Sequence, residues 1–215
     1  MAVIESYSST DSSLLIARLA PMVRSGKVIA IPTETYYGLG VNPFDVAAVA
    51  RLTSIKGRPD GKPILILIGD RAQLAELVTD VSPAAQVLME TYWPGPLTLV
   101  FSSNTKIPHA VTAGTGTVGV RQTSCATLAE LLRQIGPLTG TSANRSGEPP
   151  AQTALEVERT LGSLIDRIVD AGPAPGGLPS TVVRVCDGVE MIREGPIDRE
   201  SIQQTLAARG FHLKS

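Results

Sequence analysis

The residues that could do chemistry sit in short polar loops at the ends of apolar strands, where functional groups gather on a rigid scaffold. Ser54-Ile55-Lys56-Gly57-Arg58-Pro59-Asp60-Gly61-Lys62-Pro63 places three cations within seven positions. Arginine offers a planar fork to phosphate and lysine a point charge. The loop therefore reads as an anion site, against the alternative of a solvated basic turn. In Thr139-Gly140-Thr141-Ser142-Ala143-Asn144-Arg145-Ser146-Gly147, Ser142 and Asn144 are two apart and face the same side of an extended segment. A hydroxyl and an amide so placed suit a ribose, a phosphate or a carboxylate, or simply a polar turn. Pro32-Thr33-Glu34-Thr35-Tyr36-Tyr37-Gly38-Leu39-Gly40 combines two threonines, a carboxylate and two phenols with glycines that permit close backbone approach. The alternative there is a turn with a buried tyrosine pair.

Three further stretches are weaker. Ala113 to Arg121 (AGTGTVGVR) exposes backbone N–H groups that could cradle phosphate. It lacks the Gly-Lys-Ser/Thr of a P-loop, and a strand follows where a dinucleotide fingerprint needs a helix. Pro175 to Val183 (PGGLPSTVV) enters a strand, and Arg193-Glu194-Gly195-Pro196 leaves one.

The residue types also exclude chemistry. Two histidines, His109 in a Pro-His loop and His212 near the C-terminus, form no triad with a cysteine and an aspartate. No His and carboxylate cluster has metal-ligand spacing, so no protein-bound metal is expected. A toolkit of Lys, Arg, Ser, Thr and Asn suits nucleotidyl transfer instead. That reaction rests on positioning, Mg²⁺ and cationic stabilisation of phosphate charge.

The elements that must position these loops follow from periodicity. Helices are expected behind Ser12 or Ser13 (Leu14, Leu15, Leu19, Val23, with Pro21 as a kink or early stop), over Val46–Ile55, Ala72–Val78, Ala84–Tyr92, Thr127–Ile135, Ala154–Leu161 and Ile202–Arg209. Strands are expected over Lys27–Ile31, Ile64–Ile68, Leu97–Phe101, Val118–Arg121, Leu138–Thr141, Ile165–Val169, Thr181–Val185 and Glu190–Arg193. The unbroken run Ile64–Ile68 reads as a strand buried on both faces. Interleaved helices and strands give an α/β (α+β) class with a mixed sheet. The close succession of strands near the C-terminus predicts antiparallel pairing there. No linker-like stretch interrupts the chain, so residues 1–215 are expected to form a single domain, core about 13–197, with a C-terminal helix over about 198–209.

Composition sets the outer bounds. At 215 residues, 43% hydrophobic and 18% charged, the chain can bury a core without disulfide or metal support. A net charge of −1 argues against a surface wholly given to nucleic acid. Cys125 and Cys186 are expected as reduced thiols. With no basic-then-apolar leader and no apolar run of about 18 residues, a cytoplasmic protein without membrane association is expected.

Taken together, PTETYYGLG, KGRPDGKP, YWPGPLTLVF, TVGVR, TSANRSG, PSTVV and REGPI stand in the order seen in the YrdC-like threonylcarbamoyl-AMP synthases. The resemblance runs from about Ser13 to Ile197. It implies an open, twisted mixed sheet with flanking helices and a concave basic cavity. It also implies synthesis of threonylcarbamoyl-AMP from L-threonine, bicarbonate and ATP (with Mg²⁺), with release of pyrophosphate and no tightly bound organic cofactor. A tRNA threonylcarbamoyl transferase complex would use the product, with RNA contact possible. Carried over by motif, Lys56 and Arg58 take the catalytic role. Arg58, Lys62, Thr117, Asn144, Gln152 and Arg193 surround the nucleotide, and Thr35, Arg121, Ser142 and Ser180 surround the threonine. Leu67 stands where many members have histidine, Thr123 and Cys125 where many have proline and histidine, and Tyr36 where valine is frequent. Two rivals stand beside this reading: a carbamoyl-adenylate-forming carbamoyltransferase module and a non-catalytic RNA-binding module.

Overall fold

The computed structural model describes residues 2–7, 12–57 and 62–214. Among these residues the strands form two sheets. The first has five, in the order β1 (Val3–Ser6), β9 (Arg167–Asp170), β2 (Ile29–Ile31), β3 (Gly38–Gly40) and β8 (Thr141–Ser142). The second has six, in the order β11 (Glu190–Arg193), β10 (Thr181–Arg184), β5 (Leu97–Ser102), β6 (Thr117–Gln122), β4 (Ile66–Ile68) and β7 (Leu138–Thr139). Both are mixed. β1 and β2 run parallel to β9, and β10 parallel to β5, whereas β5–β6 and β10–β11 are antiparallel.

Among the described residues seven α-helices flank the sheets: α1 (Ser12–Arg24), α2 (Val46–Lys56), α3 (Pro83–Tyr92), α4 (His109–Thr112), α5 (Ala126–Ile135), α6 (Ala154–Leu161) and α7 (Arg199–Ala207). Their starts follow capping chemistry: the Asp45, Ser82, Thr153 and Asp198 side chains each accept a first-turn N–H. Among the described residues no helix is long and apolar enough to cross a membrane.

Alternation sends β4 side chains to two cores, and one face of β5 and β6 to the larger of them. Ile66, Ile68, Leu97, Leu99, Phe101, Val118 and Val120 enter the larger one, which Leu88, Ile202 and Leu206 of α3 and α7 close. Leu67 enters a smaller one with Leu15, Leu19 and Val23 of α1, Leu128 and Leu132 of α5, and Ile29, Ile31 and Leu138. The five-stranded sheet with α1 and α5 covers the second face only near β4. Towards β10 and β11 that face stays open.

Several expectations need correction. The expected strand Leu138–Thr141 divides at Gly140, with β7 in one sheet and β8 in the other. A Cβ on Gly140 would lie 2.5 Å from Leu67 Cγ, so only glycine lets the chain pass over β4. The expected antiparallel clustering near the C-terminus holds for β10–β11, but β9 joins the other sheet, in parallel pairs. Pro21 does not stop α1, which runs on to Arg24. The segment expected as a helix over Ala72–Val78 is a 3-10 helix, Arg71–Glu76, opened by a capping box from Asp70 and Gln73. His109 begins α4 rather than lying in a loop. Cys125 and Cys186 are both free thiols.

Candidate functional site

The open face of the six-stranded sheet floors a cleft of about 740 Å³. Alternate residues face it, as a pleated strand requires: Thr98 and Val100 from β5, Thr117, Gly119 and Arg121 from β6, Val182 and Arg184 from β10, Glu190 and Ile192 from β11. Thr33, Thr35 and Tyr36 from the loop after β2, with Thr141 and Ser142 of β8, form the wall. Gly119 lies mid-floor, where a Cβ would come within 3.3 Å of Thr98 Cγ2. Glycine in a strand interior marks a place where another group approaches the backbone.

The inner wall is fixed by Lys56, the last residue of α2. Gly57, left-handed at φ 56°, ends the helix there, and a helix C-terminus favours a cation. Only 5% of Lys56 is exposed. Its Nζ donates to Ser142 O at 2.6 Å and Asn144 Oδ1 at 2.8 Å, with Ser142 Oγ at 3.4 Å. Ser142 Oγ donates to Asn144 Oδ1 at 2.6 Å, and Asn144 Nδ2 to Glu148 O. Ser146 N donates back to Lys56 O, closing the TSANRSG loop on the helix end. The amide oxygen of Asn144 therefore gathers two donors, and Ser142, which lines the cleft, is tied to the network behind it.

Arg121, 5% exposed, stands on the floor near the end of β6. Its Nε is 3.0 Å from Glu34 Oε1, but the N–H does not point along that line. The contact is thus an ion pair without a directed hydrogen bond. Burial pushes the Arg121 guanidinium below its usual range, and Glu34 pulls it back up. Arg193 stands nearby, its Nε and Nη2 donating to Ser180 O at 3.1 and 2.8 Å. Burial and then Arg121 lower its pKa. Two guanidiniums held within electrostatic reach describe an anion site. Ser180 Oγ bonds Thr98 Oγ1 at 2.9 Å. Gly195 explains why the PSTV and REGP motifs meet: a Cβ there would be 2.3 Å from Pro179 O and 2.6 Å from Thr181 N.

Of the residues expected at the site, Thr35, Thr117, Arg121, Ser142, Ser180 and Arg193 line this cleft. Lys56 and Asn144 lie just behind its wall, bonded to Ser142. Lys62 is exposed and does not line the cleft, although its neighbour Pro63 does. Gln152 is also exposed. Its amide packs against Gly176, and its backbone N–H donates to Glu156 Oε2. Arg58 lies outside the described residues. The lining charges Arg121, Arg184, Arg193 and Lys214, against Asp187 and Glu190, make the cleft net basic, as the fold class anticipated. Among the described residues no group of three or more His, Cys, Asp and Glu is placed to hold a metal ion.

Sequence reasoning passed over Gly119, Arg184 and Glu190, which strand alternation around Arg121 and Val182 could have found. Lys214 carried no local signal. It reaches the rim because Leu213 bridges Val189 and Lys214 N donates to Val189 O, while its Nζ donates to Asp187 O.

A family model named Sua5/YciO/YrdC and described as "Telomere recombination" matches residues 21–195. A threonylcarbamoyl-AMP synthase from Bacillus subtilis is 36% identical over 95% of this chain and 59% of its own length. One from Thiobacillus denitrificans is 40% identical over 77% of this chain and 88% of its own. The structure of Pyrococcus abyssi Sua5 complexed with L-threonine superposes with a TM-score of 0.89 at 31% identity, over all of this chain and 62% of that one. The chain thus spans about three-fifths of the Bacillus subtilis and Pyrococcus abyssi relatives. Fold, motif order and these likenesses agree, and the chain belongs to the Sua5/YciO/YrdC family.

Proposed function

We propose that this chain forms threonylcarbamoyl-AMP from L-threonine, bicarbonate and ATP, releasing pyrophosphate. The observation that carries the reading is the meeting, in one cleft, of a buried arginine able to grip a carboxylate and a lysine-ordered Ser-Asn wall able to hold a nucleotide. The cleft has the size of a small-molecule site rather than of a surface for duplex or stacked RNA.

In this reading Arg121, with Ser180, Thr35 and Ser142, binds the amino acid. Its amine combines with bicarbonate, with loss of water, to give an N-carboxylate. An oxygen of that N-carboxylate then attacks the α-phosphate of ATP, and pyrophosphate leaves. No side chain is a covalent nucleophile. The protein supplies orientation and fixed positive charge, which account for most catalysis in such transfers. Thr117, Asn144 and Arg193 serve the nucleotide, joined by Arg58, Lys62 and Gln152 from loops beside the cleft. Lys56, with Arg58, stabilises developing phosphate charge through the wall it orders. Mg²⁺ would be carried by the nucleotide's own phosphates and would supply charge neutralisation there. Residues 1–215 act as one cytoplasmic domain, and a tRNA threonylcarbamoyl transferase complex consumes the product.

The likeness to the synthases and to the threonine-bound structure supports this reading. The test is pyrophosphate release from ATP and bicarbonate with L-threonine, serine, glycine or no amino acid. Threonine-dependent release is expected. Turnover with carbamoyl phosphate instead would assign a carbamoyltransferase. Salt-sensitive RNA binding without ATP turnover would assign a binding module.

A further inference from the structure

The half-buried carboxylate that faces Arg121 has a second partner that the proposed chemistry does not use. Glu34 lies in the loop after β2, its side chain 12% exposed. One carboxylate oxygen pairs with Arg121. The other accepts the Thr123 hydroxyl at 2.6 Å. Thr123 is 1% exposed and sits just past the end of β6, two residues after Arg121.

Its hydroxyl is fixed from behind. Cys125 N donates to Thr123 Oγ1 at 3.1 Å, and Thr123 N donates to Ile68 O at 3.1 Å. A hydroxyl has one proton to give. With the Cys125 N–H on its oxygen, that proton is committed to Glu34. The result is an ordered chain from the start of α5 to the cleft floor: Cys125 N–H to Thr123, Thr123 to Glu34, Glu34 to Arg121. A charge-assisted bond of this kind is stronger than a neutral one. Glu34 meets Arg121 at Nε, and among the described residues no hydrogen bond engages either Nη, so the fork of the guanidinium is left for a ligand.

We infer that Thr123 and Glu34 are positioning residues for the amino-acid end of the cleft: Thr123 fixes Glu34, and the Glu34 charge holds the Arg121 guanidinium in place without touching substrate. The inference rests on the reading of Arg121 as the carboxylate-binding group. A loose guanidinium must be ordered at each binding event, and that cost falls on affinity for the carboxylated substrate and not on the nucleotide.

The test compares Thr123→Val, which keeps the shape and removes the hydroxyl, with Thr123→Ser, which restores it. Steady-state pyrophosphate release gives KM for L-threonine, KM for ATP and kcat, and thermal melts report folding. Thr123→Val should raise KM for L-threonine about tenfold, with KM for ATP and kcat within about twofold. Thr123→Ser should return KM for L-threonine to within about twofold of the parent. If Thr123 merely caps the start of α5, valine would lower the melting temperature and move both KM values together, which overturns the inference. An unchanged KM for L-threonine also overturns it. Should valine prevent folding, Thr123→Ala removes the same hydroxyl while leaving room, and the same split is read. A parent enzyme with no amino-acid-dependent release sinks the proposed function, and this inference with it. A parent that turns over beside an unaltered Thr123→Val sinks the inference alone.

Discussion

The two ends of the cleft hold their charges in opposite ways. At the inner end, Lys56, Arg121 and Asn144 are at most 9% exposed and are tied to the hydroxyls, carbonyls and carboxylates around them. At the outer end, the Arg184–Glu190 pair spans β10 and β11 with side chains 44% and 46% exposed, above an apolar floor of Val100, Val182 and Ile192. β10 shows the change along its own length, from buried Thr181 at its start to exposed Arg184 at its end. Buried polar groups cost most when a partner is lost, and exposed pairs contribute little. The inner end is therefore preorganised, and the outer end is adaptable.

The largest effect should come from Lys56→Met. Ser142 O and Asn144 Oδ1 would lose a charged donor while staying enclosed. Stability should fall by about 2–4 kcal/mol, read by urea unfolding. Pyrophosphate release should drop by at least about 100-fold, because the Ser142–Asn144 wall loses its anchor and the cleft loses a fixed charge. A variant that kept its activity would show that the inner network is scaffolding only. Next comes Arg121→Lys. It keeps the charge near Glu34 but gives up the planar fork. KM for the amino acid should rise by roughly 10- to 30-fold with ATP unaffected. A matching rise in KM for ATP would merge the two subsites of the proposed function.

Gly119→Val probes the boundary between the ends. The strand accepts a β-branched residue, and Thr98 Cγ2 has to yield only a few tenths of an ångström at 3.3 Å. Stability should therefore change by less than about 1 kcal/mol. The added methyls occupy the floor, so KM for ATP should rise about tenfold. Unchanged KM values would place the nucleotide away from mid-floor.

How far this contrast was legible from sequence depended on the separation of the partners. Ser142 and Asn144, two apart, were read as one face, and in the structure they share a hydrogen bond and a lysine. The unbroken run at Ile64–Ile68 announced a central strand, and β4 does lie between β6 and β7. β1 and β3 were not seen. β1 is four residues long, and β3 is Gly-Leu-Gly, a composition depleted in strands and held in register by β2 and β8. The split at Gly140 was illegible for a related reason: its cause is Leu67, on a strand that crosses beneath. Glu34 was noticed as a carboxylate, but its partners Arg121 and Thr123 lie almost ninety residues away. Lys62 and Gln152 show the reverse case, since a motif places a residue type in a loop beside the cleft without fixing its side chain on the lining.

The smallest effect should come from the outer end, and it tests the contrast most directly. Arg184→Ala removes one half of an ion pair that water already solvates on both sides. The Arg184–Glu190 contact of 2.8 Å is short, yet its two side chains pay entropy to hold one geometry and are screened by salt. Loss of the pair should cost less than about 0.5 kcal/mol in urea unfolding. KM for ATP and for L-threonine should each stay within about twofold, and Glu190→Ala should behave alike. Raising the salt to 0.5 M on the parent should reproduce as much of the effect as there is, because the Debye length is then about 4–5 Å. A tenfold rise in KM for ATP on Arg184→Ala, unmatched by Glu190→Ala, would mean that the guanidinium leaves Glu190 to meet the polyphosphate. The outer end would then be a charge held in reserve, and its exposure would be the condition for reaching the ligand.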